Sequence, residues 1–61
     1  MPTTANMLTI GALAARSGVS APTLRFYESR GLIFSQRTGG NQRRYAREML
    51  RRVAVIRAAQ M

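Results

Sequence analysis

Thr23, Arg25, Phe26 and Tyr27 crowd into one short stretch, VSAPTLRFYESR, from Val19 to Arg30. They bring together a hydroxyl, a fork of guanidinium donors and two aromatic faces. A helix end that carries such a set suits insertion into a DNA groove, where guanidinium groups reach base edges and phosphates. Other chemistry is scarce. The chain has no Cys, so it holds no disulfide and no thiolate or iron–sulfur site. It has no His, which removes the commonest general base and the commonest nitrogen ligand. Glu28 and Glu48 are the only acidic residues, and they fall on different expected helices. No carboxylate cluster for metal or glycosidic chemistry is available within one chain. The inventory argues against an enzyme.

The charge points to a polyanion. All ten basic residues are Arg, and with two Glu the formal net charge is +8. Arg outperforms Lys where planar, bidentate contacts to phosphate or guanine matter. Genomic base composition is an alternative reason for the missing Lys, but it leaves the imbalance of sign unexplained. A small domain this basic most often binds nucleic acid. A membrane surface is the weaker choice, because the Arg residues are interleaved with turns and do not line one long amphipathic helix. No apolar run approaches the roughly 20 residues of a membrane span, and no basic-then-apolar leader is seen at the N-terminus. The expected location is the cytoplasm.

Sixty-one residues make a single domain. A chain this short buries only about 60% of its unfolded surface, so marginal stability is expected. Residues 1–7 read as a polar, frayed N-terminus and residues 8–61 as the domain. Thr9 caps a first helix from about Ile10 to Ser17, with Ile10, Leu13 and Ala14 as an apolar stripe. Gly18 ends it. Ser20 then caps a second helix, Pro22 sits in its first turn and Gly31 stops it. Two short helices joined by a tight Gly-containing turn form a helix-turn-helix. Leu24 is placed to pack on Leu13. Phe26 faces outward and Tyr27 partly inward, the alternative for both being a place in the core. Leu32, Ile33 and Phe34 are expected to plug the core together.

Thr38-Gly39-Gly40-Asn41 is a turn signal, flanked by Phe34 to Arg37 and Gln42 to Tyr45. The reading is a β-hairpin whose tip carries Arg37, Asn41, Arg43 and Arg44, the alternative being a flexible basic loop. A third helix runs from about Arg47, with Met49, Leu50, Val53 and Ile56 on its apolar side. Glu48 is expected to pair with Arg51 or Arg52, and Ala46 stands where a capping residue would. The chain stops without a Gly, Pro or polar tail, so a cut after the third helix is expected.

This order of elements resembles the MerR family of transcription regulators. The residues that carry the likeness are Thr9-Ile10-Gly11, Ala14, Arg16, Gly18-Val19-Ser20, Thr23 to Glu28, Gly31-Leu32-Ile33 and Arg43-Arg44-Tyr45. GNQRRY from Gly40 to Tyr45, FYES from Phe26 to Ser29 and VAVIRAAQ at the end are similar to the SoxR branch of redox-sensing activators. The resemblance implies a mainly α winged helix-turn-helix with a small β-hairpin wing. It implies a homodimer on a palindromic operator in double-stranded DNA, bending and untwisting the promoter so that RNA polymerase can use it. It also implies an oxidative stress response.

Carried over position by position, Ser20, Ala21, Thr23, Arg25 and Phe26 would enter the major groove. Arg37, Asn41, Arg43 and Arg44 would grip the backbone as a wing, and Arg16 and Tyr27 would reach phosphates. The departures are specific. SoxR-type regulators hold a 2Fe–2S cluster on cysteines beyond a long dimerisation helix, and this chain carries neither. Arg25 stands where the SoxR branch suggests a His and the wider family an Arg. The chain is thus expected to be the DNA-binding part of such a regulator, without a cofactor or redox sensing of its own. A non-specific, partly folded polyanion-binding fragment is the alternative.

Overall fold

A computed structural model describes residues 7–60 of the chain. Its elements run β1 (Met7–Leu8), α1 (Ile10–Ser17), α2 (Ala21–Ser29), β2 (Gln36–Thr38), β3 (Gln42–Ala46) and α3 (Glu48–Ala59). This is the expected winged helix-turn-helix, mainly α, with a hairpin wing. The three strands form one antiparallel sheet in the order β1-β3-β2.

Local chemistry sets the two helices of the helix-turn-helix. Thr9 Oγ1 accepts from the Ala12 N–H at 3.0 Å and opens α1. Gly18, at φ 76°, closes it, donating its N–H to the Ala14 carbonyl. Ser20 Oγ accepts from the Thr23 N–H at the start of α2, and Pro22 occupies the first turn, where a missing N–H costs little. At the far end Gly31 is left-handed and donates to the Glu28 carbonyl, while Leu32 N–H donates to Tyr27. Those two bonds make a Schellman stop.

The core is Leu13, Val19, Leu24, Tyr27, Ile33, Tyr45, Met49 and Val53. Each helix, the turn and the wing strand β3 supply at least one of them. Leu13 and Leu24 are fully buried, as the apolar spacing predicts. Of the expected Leu32-Ile33-Phe34 plug, only Ile33 goes in; Leu32 is 39% and Phe34 54% exposed. The three form no strand: Leu32 and Ile33 sit in the bend after Gly31, and Ile33 alone turns its side chain into the core. Arg52 ties this segment to α3. Its Nε donates to the Leu32 carbonyl and its guanidinium sits 5.2 Å from the Phe34 ring centre.

Three further expectations change. Residues 1–6 of the expected frayed N-terminus lie outside the described residues, but Met7 is paired, opposite Ala46, with Leu8 opposite Tyr45. A two-residue strand has no periodicity to read; it forms because the outer edge of β3 offers unpaired backbone groups. The expected pairing of Glu48 with Arg51 or Arg52 does not form, and the one ion pair among the described residues joins Arg43 to Glu28. The Arg52 side chain is committed to Leu32 and Phe34 instead. The third helix starts at Glu48 with Arg47 as an uncapped flanking residue, one position later than the expected start.

Candidate nucleic-acid interface

On α2 the structure separates inward from outward residues. Ala21 and Thr23 are half-buried in the first turns, and Arg25 is exposed. Phe26 is 52% exposed, and the Arg30 guanidinium lies 5.4 Å from its ring centre. The alternative of a core Phe26 is thereby set aside. Tyr27 turns the other way: it is 2% exposed, and its hydroxyl donates to Gln60 Oε1 at 2.9 Å. Ser20 spends its hydroxyl on the cap, accepting from the Thr23 backbone and donating to Thr23 Oγ1. Arg16 is exposed in the last turn of α1.

The wing splits its cations between two faces: Arg37 and Arg43 share one, and Arg44, next to Arg43 on the strand, takes the other with Gln42. β2 and β3 pair with Gln36 opposite Arg44, Arg37 opposite Arg43 and Thr38 opposite Gln42. The tip, Gly39 to Asn41, turns through Gly40 at φ 77° and Asn41 at φ 60°. Asn is among the few residues with a side chain that tolerate this region. Arg37 Nη1 donates to Asn41 Oδ1 at 3.2 Å, tying the tip to its own strand. Arg44 donates to Gln42 Oε1 and to the Arg43 carbonyl. Arg37 and Arg43 are thus like charges directly across a strand pair, an arrangement that costs stability unless an anion lies near.

That anion is Glu28. Its Oε1 accepts from the Tyr45 hydroxyl at 2.6 Å, its Oε2 accepts from Ser35 Oγ at 2.7 Å, and Arg43 Nη1 lies 3.7 Å away. Burial opposes ionisation of Glu28, but the hydrogen bonds from Tyr45 and Ser35 and the charges of Arg43 and Arg37 outweigh it. The carboxyl therefore titrates below its ordinary value. Burial first, then the bond to Glu28 and its negative charge, push the Tyr45 phenol up to about 12.

Arg25, Glu28, Ser29 and Arg43 line one open groove between α2 and the wing. The structure thus brings the helix cation Arg25 beside the wing cation Arg43, and puts Arg37 on the face of the hairpin that Arg43 shares. Arg16 is not part of this groove, and Tyr27 is a core residue with only its hydroxyl in polar company. Reading the sequence missed Glu28 as a junction and Tyr45 as a buried member of it. A signal was present: Glu28 is one of only two acids in a chain of net charge +8. Strand alternation also sets Tyr45 on the same face as Arg43.

The residues do not fit an iron–sulfur cluster, because the chain has no Cys and no His. Among the described residues no group of His, Cys, Asp or Glu could hold a metal ion, and no helix is long and apolar enough to cross a membrane.

Comparison with known proteins agrees with this geometry. Residues 9–45, from the cap of α1 to the buried Tyr45, match the model of the MerR family regulatory protein. The chain is 58% identical over 53 residues to the HTH-type transcriptional activator SoxR homolog of Chromobacterium violaceum, covering 87% of this chain and 36% of that protein. It is 48% identical over 48 residues to the HTH-type transcriptional regulator ZntR homolog of Haemophilus influenzae, covering 77% and 36%. It is 39% identical over 54 residues to a mercuric resistance operon regulatory protein of Pseudomonas fluorescens, covering 87% and 38%. The chain therefore spans about a third of the length of these curated relatives. With matched residues that take in both helices of the helix-turn-helix and all but the last residue of the wing, the chain belongs to the MerR family of regulatory proteins, and not to an enzyme family.

Proposed function

We propose that this chain is the DNA-reading head of a transcription regulator of the SoxR type. The observation that carries the reading is the shared groove: Arg25 of α2 and Arg43 of the wing open onto one surface of a strongly basic domain. Ser20, Ala21, Thr23, Arg25 and Phe26 present the outward side of α2 to the major groove. Arg25 is the principal base reader, since a guanidinium fork suits the paired acceptors of guanine. Arg37, Asn41, Arg43 and Arg44 hold the backbone beside it, with Arg16 at a further phosphate; the Tyr27 hydroxyl, expected there too, is instead spent on Gln60, its ring buried in the core. Phosphate contacts set the register and base contacts set the sequence.

In a full-length regulator two such heads bind a palindromic operator as a homodimer. They distort the promoter so that RNA polymerase engages it, and specificity comes in part from the cost of deforming DNA. The regulator acts in the cytoplasm, as an activator in an oxidative stress response. Any 2Fe–2S sensor belongs to cysteines that this chain does not have.

The test is a selection from a pool of random duplexes, followed by titration of the recovered duplex and of a scrambled one at the same salt. The reading expects a preference of at least tenfold for the recovered duplex and a cooperative thermal melt of the free chain. Equal affinity for both, with no cooperative melt, would leave the chain a partly folded basic polyanion binder.

A further inference from the structure

We propose that Glu28 is a positioning residue for DNA recognition: its carboxylate latches the wing to the recognition helix and so fixes Arg43 relative to Arg25. This rests on the DNA-reading role given above. Glu28 makes no sense there as a DNA contact, because a carboxylate beside a phosphate-facing surface repels the ligand. Yet one of the two acids in a chain of net charge +8 stands in the groove between the two proposed DNA-contacting elements.

Its bonds explain the position. Glu28 belongs to α2, one helical turn beyond Arg25. It accepts from Tyr45 at 2.6 Å and from Ser35 at 2.7 Å, and it stands 3.7 Å from Arg43. Ser35 lies just before β2, while Arg43 and Tyr45 lie on β3, so one carboxylate reaches both sides of the hairpin. Tyr45 is fully buried, so its hydroxyl is a fixed point and not a mobile surface donor. Arg43, in contrast, keeps 44% of its side-chain surface free, enough to meet a phosphate while Glu28 holds one side of its guanidinium through Nη1. The same carboxylate offsets the repulsion between Arg37 and Arg43 across the hairpin when no DNA is present. A hairpin held only by its own turn would swing; one tied to the reading helix presents both elements in a single register, which lowers the ordering cost of binding.

The sign of the effect separates this role from plain electrostatics. Glu28→Gln raises the net charge by one, and a charge-only view expects tighter binding to every duplex. The latch expects the opposite for the preferred sequence. With the 61-residue chain and the duplex recovered by selection, Glu28→Gln should cut the preference over scrambled duplex about tenfold. Affinity for scrambled DNA should stay unchanged or rise. Tyr45→Phe keeps the ring and the Glu28 charge but removes the buried donor, and should lower the preference in the same direction. It decides the matter if Glu28→Gln fails to fold. Glu28→Asp, which keeps the charge, should recover part of the preference. A preference unchanged within twofold in both Glu28→Gln and Tyr45→Phe would overturn the proposal, and so would equal changes for both duplexes. A wild-type chain that prefers no duplex would instead overturn the DNA-reading role itself.

Discussion

Arg25 on α2 and Arg44 on the wing are expected to fail differently when removed. Arg25→Ala should erase most of the difference between a preferred and a scrambled duplex, because a bidentate base contact contributes about 1–3 kcal/mol of discrimination. Arg44→Ala, which leaves the Glu28 latch on Arg43 in place, should weaken both duplexes alike. It should reduce the slope of log affinity against log salt by about 0.9, one phosphate contact's worth, as read in a titration series from low to moderate salt. Phe26 is the residue whose placement decided between two sequence readings. Neighbours Arg25 and Glu28 kept its region wet, and it emerged half-exposed with Arg30 stacked on it. Tyr27, next in the chain, has its ring in the core because it falls near the Leu24 side of the helix.

At the scale of elements, caps and turns were legible and tertiary junctions were not. Thr9, Gly18, Ser20, Pro22 and Gly31 act through their own backbone, so their types alone place the ends of α1 and α2. Ser20→Ala should accordingly cost about 1 kcal/mol in a denaturant melt. Leu24→Ala should cost about 2–5 kcal/mol. A chain below about 70 residues seldom holds more than about 3–5 kcal/mol in its core, so that variant should be largely unfolded by circular dichroism at room temperature. The strand Met7–Leu8, the Glu28 junction and the ties from α3 depend on residues far apart in sequence. Arg57 donating to the Ser17 carbonyl and Tyr27 donating to Gln60 are of this kind, and no local pattern announces them. The Leu32-Ile33-Phe34 run misled for a related reason: composition marks it as apolar, but only the direction of each side chain says which one is buried.

For the whole molecule, the Glu28–Tyr45 pair ties stability to pH at both ends. Glu28 titrates lower when folded than when unfolded, so its contribution is present above about pH 4.3 and is lost as pH falls through the folded value. Tyr45 is raised to about 12 in the fold, so its contribution is whole below about pH 10 and is lost as pH rises towards about 12. Thermal melts across pH should therefore show a plateau that falls on both sides. Glu28→Gln should flatten the acid limb and Tyr45→Phe the alkaline limb. Dimerisation belongs to this scale too. Two copies of the chain fused to an added dimerising coiled coil should gain about 100-fold or more on a palindrome over one half-site, by effective concentration, as read in a gel-shift titration.

The most direct test of the central claim, that α2 reads sequence while the wing holds backbone, is one comparison. Affinities of wild type, Arg25→Ala and Arg44→Ala are measured by fluorescence anisotropy on the selected and scrambled duplexes at one salt concentration. The expected result is a ratio near one for Arg25→Ala and a wild-type ratio, at lower affinity, for Arg44→Ala. An undiminished ratio in Arg25→Ala would contradict the assignment of α2 as the reading helix.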